Sequence, residues 1–439
     1  MKLRSCFAAL AAPVLVLGAV AGSVQAEPYI HDGIEFESRE AFSRSEYFRA
    51  NGLRCGTPET KVEEGIAAFG SPSDCTAGNT NILPEYDPSN GMITMQVVFH
   101  VIQSTGGSGN IPDSQIMNQL DIINEDFLAI AGTPGANGTN GMIQFVMATE
   151  DPLGNPTNGI TRTTNNTWFN DGGSYWNSLA WDPNTYINIY CNSASGNLGY
   201  VPYLPQTGTP GAASDRVVVL WNTVGRNAPY GPPYDQGRTV THELGHYFGL
   251  DHTFAGGCAA ASPPNCYTTG DWICDTNSES TPTFGCPNKS SCSSPDPIDN
   301  YMDYSDDLCM EMFTPEQMNR MRCTIENWRP GLILNTAVSA NLVTEDSSFN
   351  LLHQNQPNPF GARTEISFEL PKPSQATLRV VDIAGRNVRT LTSAQLGAGR
   401  HAFTWDGTDR NNAPVAAGVY FYRLSTPTGD ETRRMVKMK

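Results

Sequence analysis

The segment His242-Glu243-Leu244-Gly245-His246-Tyr247-Phe248-Gly249-Leu250-Asp251-His252 joins a helical spacing to a glycine stop. Residues four apart share one helix face, so the imidazoles of His242 and His246 project together and can hold one metal ion. Val240, Leu244 and Phe248 then supply apolar contacts toward a core. A helix continued to His252 would carry the third imidazole away. Gly249 predicts the remedy, because glycine accepts the left-handed conformation that ends a helix and turns the chain back. His252 can thereby complete a three-histidine site, with a fourth position open to water. At ordinary residue frequencies the five fixed positions coincide with a chance of about 10⁻⁵ over a chain of this length, so coincidence is set aside. The chain has seven histidines; the other four, His100 among them, are given no functional role.

Outward from this segment, 93–102 reads as a buried strand. Pro112 and Asp113 open a helix whose Ile116, Leu120, Ile123 and Phe127 share one face. Further strand candidates lie at 143–148, 186–191 and 216–221. Strands and helices mixed in this order predict an α/β or α+β domain. After Pro330 the chain is polar over 337–350. Short β-rich runs at 365–370, 376–381, 401–405 and 419–424 then alternate with turn residues and predict a small antiparallel sandwich.

Of 439 residues, 44 are acidic and 27 basic, a net charge of −17. The charge is uneven: +2 over 1–26, −24 over 27–348 and +5 over 349–439. An acidic body without a basic patch repels phosphate backbones, which excludes nucleic acid and favours cationic peptides. Lys2 and Arg4, an apolar stretch from Phe7 to Ala21, and Val24-Gln25-Ala26 describe a secretory signal peptide cut after Ala26. With no other long apolar run, the mature protein is expected to carry no transmembrane segment. Of the 11 cysteines, seven crowd between Cys258 and Cys323, which in an exported chain reads as disulfides stapling irregular loops.

The histidine pattern resembles the metzincin clan of zinc peptidases, and Asn300-Tyr301-Met302-Asp303-Tyr304 resembles the clan's methionine turn. More narrowly the chain is similar to the pappalysin family, including its ulilysin-like bacterial members. The likeness rests on His252-Thr253-Phe254, Gly256-Gly257-Cys258, Phe284-Gly285-Cys286-Pro287, Tyr301 to Ser305 with Cys309, and Phe313-Thr314 with Gln317, Arg320 and Met321. It implies an α+β catalytic domain with a mixed twisted sheet and an active-site helix. His242, His246 and His252 would be the zinc ligands, Glu243 the general base, Tyr304 a partner of metal or oxyanion, and Met302 an apolar floor. It also implies disulfides Cys258–Cys292 and Cys286–Cys309, and calcium near Asp271, Asp275 and Thr276. Cys266 and Cys274 look like a local bridge, although connectivity stays open. Some family members place an acid for basic side chains immediately before the cysteine matched by Cys309; here that position is Leu308, with Asp306 and Asp307 preceding it.

Arg54-Cys55-Gly56-Thr57-Pro58 resembles the cysteine switch that keeps metzincin zymogens latent. A Cys55–Cys75 disulfide competes with it. The switch is favoured, and by parity it implies another unpaired or differently bonded thiol. Residues 351–439 resemble the Ig-like C-terminal sorting domains of the bacterial type IX secretion system. The matching positions are Gln354-Asn355, Pro357-Asn358-Pro359-Phe360, Asp382 with Gly385-Arg386, Trp405-Asp406-Gly407, Gly418 to Tyr422, and a tail with Lys437 and Lys439; the family's aromatic before the first proline is Gln356 here.

The expected division is a signal peptide at 1–26, a pro-segment at 27–60, a catalytic domain at 61–335, a linker at 336–350 and the sorting domain at 351–439. The expected activity is zinc-dependent hydrolysis of protein or peptide substrates, secreted or at the cell surface after export through the periplasm. A surface adhesin on an inactive protease scaffold is the competing class, and it would require neither an intact Glu243 nor three histidines.

Overall fold

The computed structural model describes residues 28–58, 75, 83–334 and 351–438, apart from short breaks at 206, 259–264, 268, 353–354, 356–359, 371–372, 383–385, 398, 412 and 428. The expected signal peptide, the expected linker at 336–350 and, of the positions that carry the expected sorting domain, Gln354, Gln356, Pro357 to Pro359, Gly385 and Lys439 therefore lie outside the described residues. The chain divides into two units, 1–334 and 335–439.

In the first unit a hairpin, β1 (Tyr29–His31) and β2 (Ile34–Phe36), precedes two one-turn helices, α1 (Arg39–Ser43) and α2 (Glu46–Ala50). Serine caps both: Ser38 Oγ accepts from Ala41 N and Ser45 Oγ from Phe48 N, each at 3.1 Å. The run 93–102 forms the sheet's long strand β3 (Ile93–Gln103), and the periodic segment after it forms α3 (Asp113–Phe127). Next come β4 (Ile143–Met147), β5 (Ile160–Thr164), β6 (Tyr186–Asn192), β7 (Gly199–Tyr200) and β8 (Val217–Leu220).

The sheet runs β4-β3-β6-β8-β7, with β5 also paired to β3. All its pairs are parallel except β7 with β8. A parallel central strand is covered on both faces, which explains why β3 is buried continuously from Val97 to Ile102. Its alternate residues Met95, Val97, Phe99 and Val101 enter one core with Ile116, Ile123 and Phe127 of α3, while Ile102 joins a cluster with Tyr175, Tyr190 and Val218. His100, buried in β3, is held by Asn188 Oδ1 at 2.8 Å and Thr161 Oγ1 at 2.9 Å, a structural role.

Helix α4 (Arg238–Tyr247) packs against β8 and α3. Its end is a Schellman turn: Gly249 N donates to His246 O at 2.9 Å and Leu250 N to Gly245 O at 3.0 Å, with Gly249 at φ 91°. After two short paired strands, β9 (Ser290–Ser291) and β10 (Ser294–Pro295), helix α5 (Pro315–Trp328) closes the unit. It opens on a capping box made by Thr314 and Gln317. Among the described residues four disulfides are formed: Cys75–Cys323, Cys258–Cys292, Cys266–Cys274 and Cys286–Cys309. Cys75 thus bonds to α5 and not to Cys55, which removes the alternative pairing. Cys55 and Cys191 are free and buried.

Among its described residues the second unit has seven strands: β11 (Leu351–Leu352), β12 (Thr364–Leu370), β13 (Ser374–Val381), β14 (Asn387–Leu396), β15 (Gly399–Trp405), β16 (Gly418–Thr426) and β17 (Gly429–Lys437). They form two antiparallel sheets, β11-β12-β15 and β14-β13-β16-β17. Leu352, Ile366, Phe368 and Trp405 from one sheet share a core with Leu378, Val380, Tyr422 and Met435 from the other. Three of these strands were not foreseen: β11 is only two residues long, and β14 and β17 are polar and lie at the edges of their sheet. Edge strands need only one apolar face, or none, so the pattern that marks buried strands is weak there.

Candidate metal centre

Helix α4 presents His242, Glu243 and His246, and the turn at Gly249 brings His252 back beside them. The Nε2 atoms of His242 and His246 lie 3.2 Å apart, and those of His246 and His252 3.0 Å apart. His242 Nδ1–H donates to Tyr301 O at 2.6 Å and His246 Nδ1–H to Leu250 O at 2.8 Å. A ring protonated at Nδ1 keeps its Nε2 lone pair, so the two nitrogens repel each other unless a cation lies between them. Burial, followed by the charge of His246, holds His242 and His252 well below the usual histidine range; burial brings His246 down to about 4. Neutral imidazoles are the form that metals bind. Among the described residues, Cys55, His242, His246 and His252 are the one such group able to converge on a metal. Their ligand atoms lie within 4.8 Å of one another, and all four side chains are buried.

Met302 lies under the helix. A Cβ on Gly245 would stand 2.4 Å from the Met302 sulfur, so glycine is what lets helix and methionine turn close together. The same turn supplies the carbonyl of Tyr301 that orients His242. Tyr304 sets its ring edge-on to His252, with centroids 4.9 Å apart, and its hydroxyl donates to Cys55 O at 3.4 Å. Glu243 is fully buried. Its Oε2 accepts from Thr57 Oγ1 at 3.2 Å and from Cys55 Sγ at 3.7 Å, whereas Oε1 has no partner. Burial pushes its carboxyl up to about 8, against the lowering influence of Arg54.

Residues 53–57 lie along the free edge of the sheet. Leu198 N donates to Leu53 O at 3.0 Å, Gly56 N to Gly199 O at 2.9 Å and Val201 N to Thr57 Oγ1 at 2.9 Å. This places the Cys55 thiol over the histidines. Burial first, then the charge of Glu243, raises the thiol well above its ordinary range. Arg54 is wholly buried. Its Nη2 is 3.9 Å from Asp307 Oδ1 and 3.7 Å from Met310 Sδ, its Nη1 donates to Thr239 Oγ1 at 3.4 Å, and its guanidinium lies 4.8 Å over the Tyr234 ring. Asp307 in turn accepts from Gln236 N and Arg238 N at the start of α4. Arg44 pairs with Asp306 at 3.1 Å.

Leu308 is 83% exposed. Asp307, one residue earlier, is buried and faces Arg54. Sequence reading noted Asp306 and Asp307 but could not pair them with arginines far away in the chain. The calcium candidates are only partly brought together. Asp271 Oδ2 accepts from Thr276 Oγ1 at 2.7 Å, while Asp275 Oδ2 accepts from Glu316 N at 2.9 Å, at the head of α5.

The sequence model of the pregnancy-associated plasma protein-A peptidases, family M43, matches residues 174–326, and that of the FlgD Ig-like domain matches 354–430. An extracellular metalloprotease of Colletotrichum graminicola is 38% identical over 249 residues, which cover 54% of this chain and 78% of that protein. One of Podospora anserina is 32% identical over 299 residues, 64% of this chain and 91% of that one. Among solved structures, mature mirolysin of Tannerella forsythia in complex with a cleaved peptide is 34% identical. It covers 58% of this chain and 99% of its own, with a TM-score of 0.47. A promirolysin variant from the same organism is 29% identical, covering 70% and 97%, with a TM-score of 0.49.

The two free thiols are both buried, so the native precursor lacking residues 1–26 should give no rapid reaction with a thiol reagent. Two thiols should appear on unfolding without reductant. Any other number would contradict the disulfide set.

Proposed function

We propose, from the premise that the chain belongs to the pappalysin (M43) family of metalloproteases, that it is a secreted zinc endopeptidase held latent by its own residues 53–57. The convergence of three imidazole nitrogens beside a buried carboxylate carries this reading. Tetrahedral Zn–N bonds of about 2.0–2.1 Å set nitrogens about 3.3 Å apart, close to the 3.0 and 3.2 Å between these rings. Zinc on His242, His246 and His252 supplies Lewis acidity to a water and to the scissile carbonyl.

The remaining steps fall to the chain's own groups. Glu243 takes the proton of the attacking water and returns it to the leaving amine, so that water and peptide become a carboxylic acid and an amine. Release of Cys55 frees the Tyr304 hydroxyl to donate to the carbonyl oxygen as that oxygen gains charge. Met302 serves as packing only. A structural calcium at Asp271, Asp275 and Thr276 accompanies this reading. Burial raises the Asp271 carboxyl to about 7, and a hard cation would relieve that cost.

Arg54 indicates what the neighbouring pocket accepts. A guanidinium seated between Asp307 and the Tyr234 ring supports cleavage beside arginine or lysine, in keeping with the acidic body. Digestion of a peptide library by activated enzyme tests both ideas. Glu243→Gln should lose about 10²–10⁴-fold in rate with metal content unchanged, and full activity would end the zinc-peptidase reading. Asp307→Asn, which can still accept from the two backbone amides, should lose the preference for basic residues; an unchanged cleavage pattern would remove that pocket.

Latency is assigned to Cys55, a soft ligand able to take the position of the water. Cys55→Ser precursor should show activity before any processing, whereas a fully latent variant would transfer the inhibition to the rest of 53–57. Relatives named as extracellular support export, and the FlgD-like match supports an Ig-like terminal unit. We assign that unit to recognition by the type IX machinery. A chain ending at 350 should accumulate in the periplasm, and undiminished secretion would refute the assignment.

A further inference from the structure

Beside the metal centre, the segment between the third histidine and the methionine turn folds around a lysine. Lys289 Nζ lies 2.6 Å from Thr281 O, 3.1 Å from Glu279 Oε1, Thr283 Oγ1 and Asp296 Oδ2, 3.4 Å from Thr281 Oγ1 and 3.5 Å from Pro282 O. An ammonium has three N–H donors, and six oxygens surround this one. Two are carboxylate oxygens of buried residues, and two are backbone carbonyls turned inward. A third buried carboxylate, Asp303, accepts from Thr283 N at 3.1 Å through Oδ1 and leaves Oδ2 without a partner. Three acids face a single positive charge. Oxygen number, inward carbonyls and surplus negative charge together describe the surroundings of a hard divalent cation, into which a side chain has been inserted.

We propose that Lys289 is a built-in cation, occupying a cage that would otherwise require a calcium-type ion, and that deleting its side chain turns the cage into a divalent-cation site. The cage is tied to the centre on two sides. Glu279 Oε2 accepts from Thr253 Oγ1 at 3.2 Å, next to His252, and Asp303 lies between Met302 and Tyr304. Thr283 precedes Phe284, whose ring lies 5.7 Å from that of Tyr304. The Cys258–Cys292 and Cys286–Cys309 disulfides fix the same segment covalently. Lys289 is thus a positioning residue for His252 and Tyr304. That consequence rests on the zinc reading above, whereas the cage does not. Asp275 and Thr276 line the same cavity as Lys289 and Asp296, so the response of the wild type to calcium is the baseline.

The test is thermal melting of the full-length precursor in zinc-containing, calcium-free buffer, then with calcium chloride at about 5 mM, above the range in which extracellular modules bind it. Lys289→Ala should melt about 10 °C below wild type, because buried carboxylates lose their counter-charge. Calcium should restore most of that loss, and sodium chloride of equal ionic strength should not. Lys289→Met fills the cage with apolar atoms of similar length and should be lowered without rescue. The proposal is overturned by Lys289→Ala melting with wild type, by no rescue with calcium, or by an equal calcium gain in all three proteins. Recovery of folded Lys289→Ala only from calcium-supplemented culture supports it; an insoluble variant with and without calcium overturns it. Melting reads neither turnover nor peptide cleavage, so failure here leaves the peptidase reading standing, and an inactive wild type would leave the cage standing.

Discussion

Three uncharged imidazoles cannot remain face to face in a dry interior without a cation, and the arrangement of the first unit follows from holding them there. Each outer ring nitrogen of the helical pair must be satisfied by a carbonyl that does not move. For His246 that carbonyl is Leu250 O, exposed by the Schellman turn, and for His242 it is Tyr301 O in the methionine turn. The glycine stop and the methionine turn are therefore parts of one support. Gly245 lets the Met302 sulfur approach the helix closely enough for the second carbonyl to reach.

The proposed latency would use the features a substrate would use. The covering stretch pairs with the sheet edge, sends a guanidinium into the acidic pocket, engages Glu243 and sets a thiol over the histidines. Any one of these contacts is modest. Because they share one short segment, the entropy of ordering it is spent once for all of them. Under that proposal, release of residues 53–57 would open the sheet edge, Asp307, Glu243 and the three histidines together.

Much of the fold was legible because the central strand and the two site-bearing features are local patterns. The apolar run of β3, the face of α3 and the spacing of His242 and His246 each depend on neighbours within a few residues. The unforeseen parts depend on partners. β5 is a polar strand, recognisable only once β3 is there to pair with it. β14 and β17 are polar strands at the edges of their sheet. Cys75 bonds to Cys323 across 248 residues, and nothing near either cysteine indicates that choice.

By itself the chain determined the chemistry. Helical periodicity sets two imidazoles on one face, and a glycine that tolerates positive φ returns the third, whatever the rest of the molecule does. Only the tertiary structure decided the pairings of charge. Arg54 meets Asp307, Arg44 meets Asp306, and Lys289 gathers Glu279 and Asp296. Coulomb attraction carries no sequence address, so which acid a buried cation finds depends on how strands, loops and disulfides bring distant segments into one low-dielectric interior.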